Sequence, residues 1–99
     1  MSKCLLTIIA PPTLKEMLED WLLEHDSISG FSTMDGYGHG SRPSGMTLLE
    51  QVAGHQKRVQ FLIETDAQVA AQLLAQLRQE FAGVGLHYML IPLLEAGPL

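Results

Sequence analysis

The sequence predicts an α+β fold: a four-stranded antiparallel sheet with two helices on one face and a long loop between strands two and three. Three observations predict it. Four segments read as strands and two as helices, in the order β-α-β-β-α-β. Both helical segments repeat their apolar residues with a period near 3.6, so each offers one stripe to a sheet. The connection between the second and third strands is far longer than the roughly 2–5 residues a hairpin needs.

The elements follow in chain order. Lys3 to Ile9, KCLLTII, is apolar on both faces of a period-two ladder, with Cys4, Leu6 and Ile8 against Leu5, Thr7 and Ile9. Pro11 and Pro12 stop this strand. Thr13 precedes Glu16 at the spacing of a capping box, and Leu14, Met17, Leu18, Trp21 and Leu22 form a helical stripe ending near His25. Gly30 to Tyr37 is the second strand, with Phe31 and Thr33 on one side. After the loop, KRVQFLIE sets Val59, Phe61 and Ile63 against Arg58, Gln60 and Glu64. Thr65 and Gln68 repeat the capping-box pattern, Val69, Ala70, Leu73, Leu74, Leu77 and Phe81 form the second stripe, and Gly83 ends it. Leu86 to Leu94 is the last strand, with Pro92 where it reaches an edge or leaves the sheet. This is the order of a ferredoxin-like βαββαβ sandwich, and residues 1–99 read as one domain.

Composition narrows the function. A 99-residue chain buries a modest core. Its net charge of −5 argues against nucleic-acid binding, where a basic surface supplies most of the affinity. The single cysteine, Cys4, forms no internal disulfide framework and fits a reducing compartment. MSKCLLTIIA looks like a signal peptide but has a short apolar run, followed by PPTLKEMLED instead of a small-residue cleavage site. No segment approaches the roughly 20 apolar residues of a membrane span, so no membrane insertion is expected and the location expected is cytoplasmic. Strands one and four are apolar on both sides, so the helix-free face needs a cover, and self-association into a homo-oligomer is expected.

The connecting segment, Gly38 to Gln56, reads as irregular, and insertions of that length are usually functional or disordered. It opens within DGYGHGSRPSG, whose glycines permit a turn and close approach at a cleft. Within it, MTLLEQVAG from Met46 to Gly54 fits a short helix with Leu48, Leu49 and Val52 as anchors. Those anchors would dock another protein or pack back on their own oligomer, and both readings stand. Arg42, Lys57 and Arg58 are half of the basic residues and cluster around the loop, where they suit an anionic effector, an acidic partner or a solvated loop.

His39 and His55 bracket the loop with Met34 and Met46 near, and His87 and Met89 share a face of strand four. Imidazole and thioether suit copper or zinc, although no spacing matches a strong zinc motif. Their ordinary roles are a solvated loop histidine at His39, a strand histidine at His87 and core packing at Met89. No catalytic constellation is evident: Cys4 lies in a buried strand, Ser41 and Ser44 sit on a glycine-rich loop, and the first helix's carboxylates face solvent. A regulatory or binding protein is expected, not an enzyme.

Two motifs carry a family resemblance. GYGHG, Gly36 to Gly40, resembles the Gly-Phe-Gly signature that opens the T-loop of PII signalling proteins, the GlnB-like nitrogen-regulatory family. GVGLHYMLIPLLEA, Gly83 to Ala96, is similar to that family's Gly-Asp-Gly-Lys-Ile-Phe-Val-Leu-Pro-Val-Glu-Glu-Ala, with Pro92 and Glu95-Ala96 setting the register. The resemblance implies a trimer of ferredoxin-like subunits whose T-loops regulate transporters or enzymes. It implies a small effector at Gly36, Tyr37, Gly38 and His39, beside Arg42, Lys57 and Arg58.

The departures are chemical. His39-Gly40 replaces the family's Arg-Gln, Val84 its Asp and Leu86 its Lys, and the C-terminal Arg-Thr-Gly is missing. A triphosphate would lose its cationic partners, so ATP and ADP are not expected. No tyrosine lies between Gly38 and Gln56 for uridylylation. The resemblance therefore points to a divergent branch without the full nucleotide motifs. Some such branches are similar to accessory proteins encoded beside heavy-metal efflux pumps, which implies a metal effector and a membrane transporter as partner. Two other readings stay open: a metal-binding tolerance protein resembling the CutA family, and a structural oligomeric module.

Overall fold

The computed structural model describes residues 2–40 and 55–99. Its strands are β1 (Lys3–Ala10), β2 (Ser32–His39), β3 (His55–Asp66) and β4 (His87–Pro92), and its helices are α1 (Lys15–Leu23) and α2 (Ala67–Glu80). The sheet order is β2-β3-β1-β4, and every neighbouring pair is antiparallel. This is the expected ferredoxin-like arrangement. The expected helix at Met46–Gly54, together with Arg42, lies outside the described residues. Among the described residues no helix is long and apolar enough to cross a membrane.

The period-two ladder of β1 decides which face carries the core. Leu6, Ile8 and Ala10 are buried with Val59, Phe61 and Ile63 of β3. Leu18 and Leu22 of α1, and Leu73, Leu74 and Leu77 of α2, close over them. Burying each of these larger side chains contributes roughly 1.5–3 kcal/mol. Phe81 and Ile28 complete the cluster at the helix ends. Met17 departs from the predicted stripe: it is 57% exposed because α1 is only nine residues long and buries Leu18 and Leu22.

Neither capping box forms. Thr13 lies in a 3-10 turn, Pro12–Leu14, so α1 begins after Leu14 without a side-chain cap. Pro11 starts that turn through its carbonyl, which accepts from Leu14 N–H at 3.0 Å. At α2 the cap position falls to Asp66, because Thr65 is still paired to Cys4 in the sheet. The two helices therefore rest on tertiary packing more than on their termini.

The second strand has the expected eight residues but starts and ends two residues later than Gly30 to Tyr37. It continues through Gly36, Tyr37 and Gly38 to His39, and β3 begins at His55. A strand of twelve residues spans about 40 Å, which accounts for most of the 46 Å long axis of the molecule. The segment between the strands is thus 40–54, shorter than Gly38 to Gln56.

Candidate functional site

The end of β1 creates the site. Ala10 pairs with Val59, so the residues of β3 before Val59 have only β2 as a neighbour. Gly36–His39 and His55–Arg58 therefore form a two-stranded ribbon beyond the sheet, paired Gly36 to Arg58, Tyr37 to Lys57, Gly38 to Gln56 and His39 to His55. Side chains alternate across it. Tyr37, His39, His55 and Lys57 share the helix-side face, and Gly36, Gly38, Gln56 and Arg58 the other.

A cleft of about 340 Å³ opens at the root of this ribbon, lined by Pro12, Lys15, Asp35, Tyr37, Lys57 and Arg58, among others. Pro11 and Pro12 end β1 and turn the chain so that Lys15, at the start of α1, lies 3.8 Å from the Asp35 carboxylate. Tyr37 is 61% exposed, offering a ring face at the cleft. The Arg58 guanidinium donates to the Lys57 carbonyl at 3.4 Å and to the Gln56 side-chain oxygen. The stem of Arg58 passes over Gly38, where a β-carbon would stand 3.4 Å from Cγ.

The sequence-derived effector residues Gly36, Tyr37, Lys57 and Arg58 thus meet at one cleft. Lys15 and Asp35 complete it and were not evident from the sequence. The signal available for them was the Pro-Pro turn, which delivers the start of α1 to β2. Gly36 and Gly38 lie in regular strand, and the rest of the expected turn in DGYGHGSRPSG, from residue 41 on, lies outside the described residues; only Gly83 and Gly85 of the described glycines have positive φ, +76° and +93°.

The proposed metal ligands divide into two places. His39 and His55 are direct cross-strand partners with ring centres 5.6 Å apart, and the Tyr37 ring meets His55 edge-on at 4.6 Å. His87 and Met89 pair with Ile9 and Thr7 of β1, on the opposite face of the sheet. Met89 does not pack in the core, being 47% exposed. Among the described residues no three His, Cys, Asp or Glu side chains gather around a common point.

A second cavity, of about 360 Å³, lies between the end of α2 and the start of β4, bounded by Leu77, Phe81, Leu86 and Tyr88. At its rim Arg78 donates to the Tyr88 hydroxyl at 3.0 Å, with its guanidinium carbon 5.5 Å from the ring centre. The second family-like motif, starting at Gly83, forms its floor.

β4 carries the remaining surface. Tyr88 and Leu90 on one face and Met89 and Ile91 on the other are each 42–50% exposed. The helices sit over β1 and β3 and, apart from the Arg78 contact to Tyr88, leave this edge strand exposed.

This fold is a ferredoxin-like scaffold with a two-stranded ribbon at its end. Across residues 1–99 the chain matches the DUF3240 family, described as proteins of unknown function, and it belongs to that family. A DUF3240 family protein from Shewanella baltica, known from a crystal structure, superposes with a TM-score of 0.80 at 25% identity, covering 100% of this chain and 98% of that one. A candidate PII-like signalling protein from Thermus thermophilus superposes with a TM-score of 0.68 at 17% identity, covering 94% and 88%. That likeness is one of fold. No curated protein matches the sequence.

Proposed function

We propose that this chain is a PII-like regulatory protein, a divergent relative of the GlnB-like proteins. It acts as a homotrimer closed over the helix-free sheet face, takes a small anionic effector into the cleft at Tyr37, Lys57 and Arg58, and meets a partner protein through residues 38–56. The partner class is a membrane transporter or a regulated protein in the cytoplasm, and the chain itself is not a catalyst. The observation that carries this reading is the cleft at the root of a ribbon whose two strands lead into residues 40–54. A ligand between Lys15, Tyr37 and Lys57 bridges helix, sheet and ribbon, so its occupancy can bias where the ribbon points.

Light scattering of the full chain tests the assembly, with three times the 10.9 kDa chain mass expected. A mass of one chain at micromolar concentration overturns it. Calorimetric titration of the same sample with inorganic phosphate, ATP and ADP tests the effector. Phosphate binding that weakens in Lys57→Ala supports an anion site, and nucleotide binding in preference to phosphate sinks the non-nucleotide reading.

A further inference from the structure

The end of the ribbon carries a second piece of chemistry. His39 and His55 stand directly opposite each other, the last pair before residues 40–54. Directly opposed residues have β-carbons about 4.5–5.5 Å apart, so two side chains there can reach one ion. Metal–nitrogen bonds of about 2.0–2.1 Å set two imidazole centres on a tetrahedral ion roughly 5 Å apart. The observed separation is 5.6 Å with the rings tilted by 53°. A small side-chain rotation closes the difference.

We propose that His39 and His55 form a bidentate site for a divalent first-row transition ion. Two neutral imidazoles favour copper(II) and zinc(II), with copper(II) the tighter in the Irving–Williams order. Among the described residues no third His, Cys, Asp or Glu joins them. A site with two protein ligands is open and exchangeable, unlike a closed four-ligand structural centre. Tyr37 stands beside the pair on the same face, its ring edge-on to His55 with centres 4.6 Å apart. His87 and Met89 are excluded by the sheet, which puts them on its other face.

The consequence is mechanical. A two-stranded ribbon is marginally stable in water, and a cross-strand ion staples its far end. This goes beyond the regulatory reading by adding a second, cationic effector at the far end of the ribbon, and it rests on that reading only for the consequence of binding. The mass measurement and the titration can fail independently of each other.

The test uses the tag-free full chain titrated calorimetrically with zinc(II) and with copper(II). One saturable site per chain is expected, weakened about 10–100-fold or more in His39→Ala and in His55→Ala, since even outer-shell partners of metal ligands carry that much. His87→Ala should leave it unchanged. Copper(II) added to the unsubstituted chain should broaden the ring-proton NMR signals of His39 and His55 first, a readout independent of any variant's folding. Zinc(II) should also slow amide exchange in Tyr37–His39 and His55–Lys57. Absence of saturable binding, retention of full affinity in both alanine variants, or loss of it in His87→Ala overturns the proposal.

Discussion

Leu5 of β1 stands directly opposite Ile91 of β4 on the sheet face that neither helix covers. Thr7 and Met89 are the next pair along that face, so the apolar character continues from the centre of the sheet to its edge. Ile91 is 50% and Met89 47% exposed, which is unusual for neighbouring large apolar residues on an uncovered sheet. If subunits close over this face, Ile91→Asp should bury a carboxylate at the interface and split the assembly to the mass of one chain. Size-exclusion chromatography with light scattering reads the result. The circular dichroism spectrum should be retained, because Ile91 lies outside the core. An unchanged mass would place the interface elsewhere.

The two helices are clasped to each other at their exposed rim. The Trp21 indole N–H donates to the Glu80 carboxylate at 3.0 Å, and His25 bridges the Trp21 carbonyl and the Gln76 side-chain oxygen, each at 2.7 Å. Trp21 also meets Phe81 edge-on at 5.7 Å. Glu80→Ala removes one exposed hydrogen bond and should cost about 0.5–1 kcal/mol. Trp21→Ala also removes the ring from Phe81 and the helix seam, and should cost about 3 kcal/mol or more. Urea unfolding separates the two values. Trp21 is the chain's only tryptophan, so in Glu80→Ala its fluorescence reports whether the seam loosens before the sheet does.

The fold was legible because its signals are local and repeated. The alternation of Val59, Phe61 and Ile63, and the stripe ending at Phe81, each bury one face, and those faces can only meet in one layer order. The ribbon was legible only in part. The second strand was expected to end at Tyr37, yet pairing of Gly38 with Gln56 and of His39 with His55 carries it two residues further, a tertiary override of weak intrinsic preference. The capping boxes failed for a related reason: the Pro12–Leu14 turn and the Cys4–Thr65 pair claimed the residues that would have capped. Half of the cleft followed from the sequence, through Tyr37, Lys57 and Arg58. Lys15 and Asp35 are distant in sequence and meet only through the fold. The histidines were visible as metal-ligand types, but their partition between two faces required the register.

Cys4 is 3% exposed and its thiol donates to the Thr65 carbonyl at 3.4 Å. Burial pushes the thiol's pKa up, and the nearby Asp66 carboxylate pushes it further in the same direction. A raised native value favours the protonated form, so this contribution to stability is complete below the unfolded thiol's value of about 8.5. It is lost as pH rises through the native value. Urea midpoints measured from pH 7.5 to 10.5 should therefore fall in the native chain and fall less steeply in Cys4→Ala. A thiol reagent at pH 7.5 should label Cys4 only as fast as the chain opens. Immediate labelling of the folded protein would contradict the burial.

Gly83 and Gly36 belong to the two family-like motifs but differ in their need for glycine. Gly83 ends the α2 turn at φ +76°, a backbone region that costs an L-residue roughly 1–2 kcal/mol. Gly36 sits in β2 with no such angle, and a β-carbon there would meet nothing closer than the Gln60 side chain at 3.9 Å. Gly83→Ala should thus lower the unfolding free energy by about 1 kcal/mol or more, while Gly36→Ala should change it by no more than about 0.5 kcal/mol. Gly36 lines the effector cleft with its backbone, but its β-carbon would point to the face of Gln56 and Arg58, away from Tyr37 and Lys57, so Gly36→Ala and Gly83→Ala should both leave phosphate binding intact. Urea unfolding and calorimetry on the same two variants decide the matter. A Gly36→Ala chain that is strongly destabilised would mean that the ribbon's backbone needs the glycine.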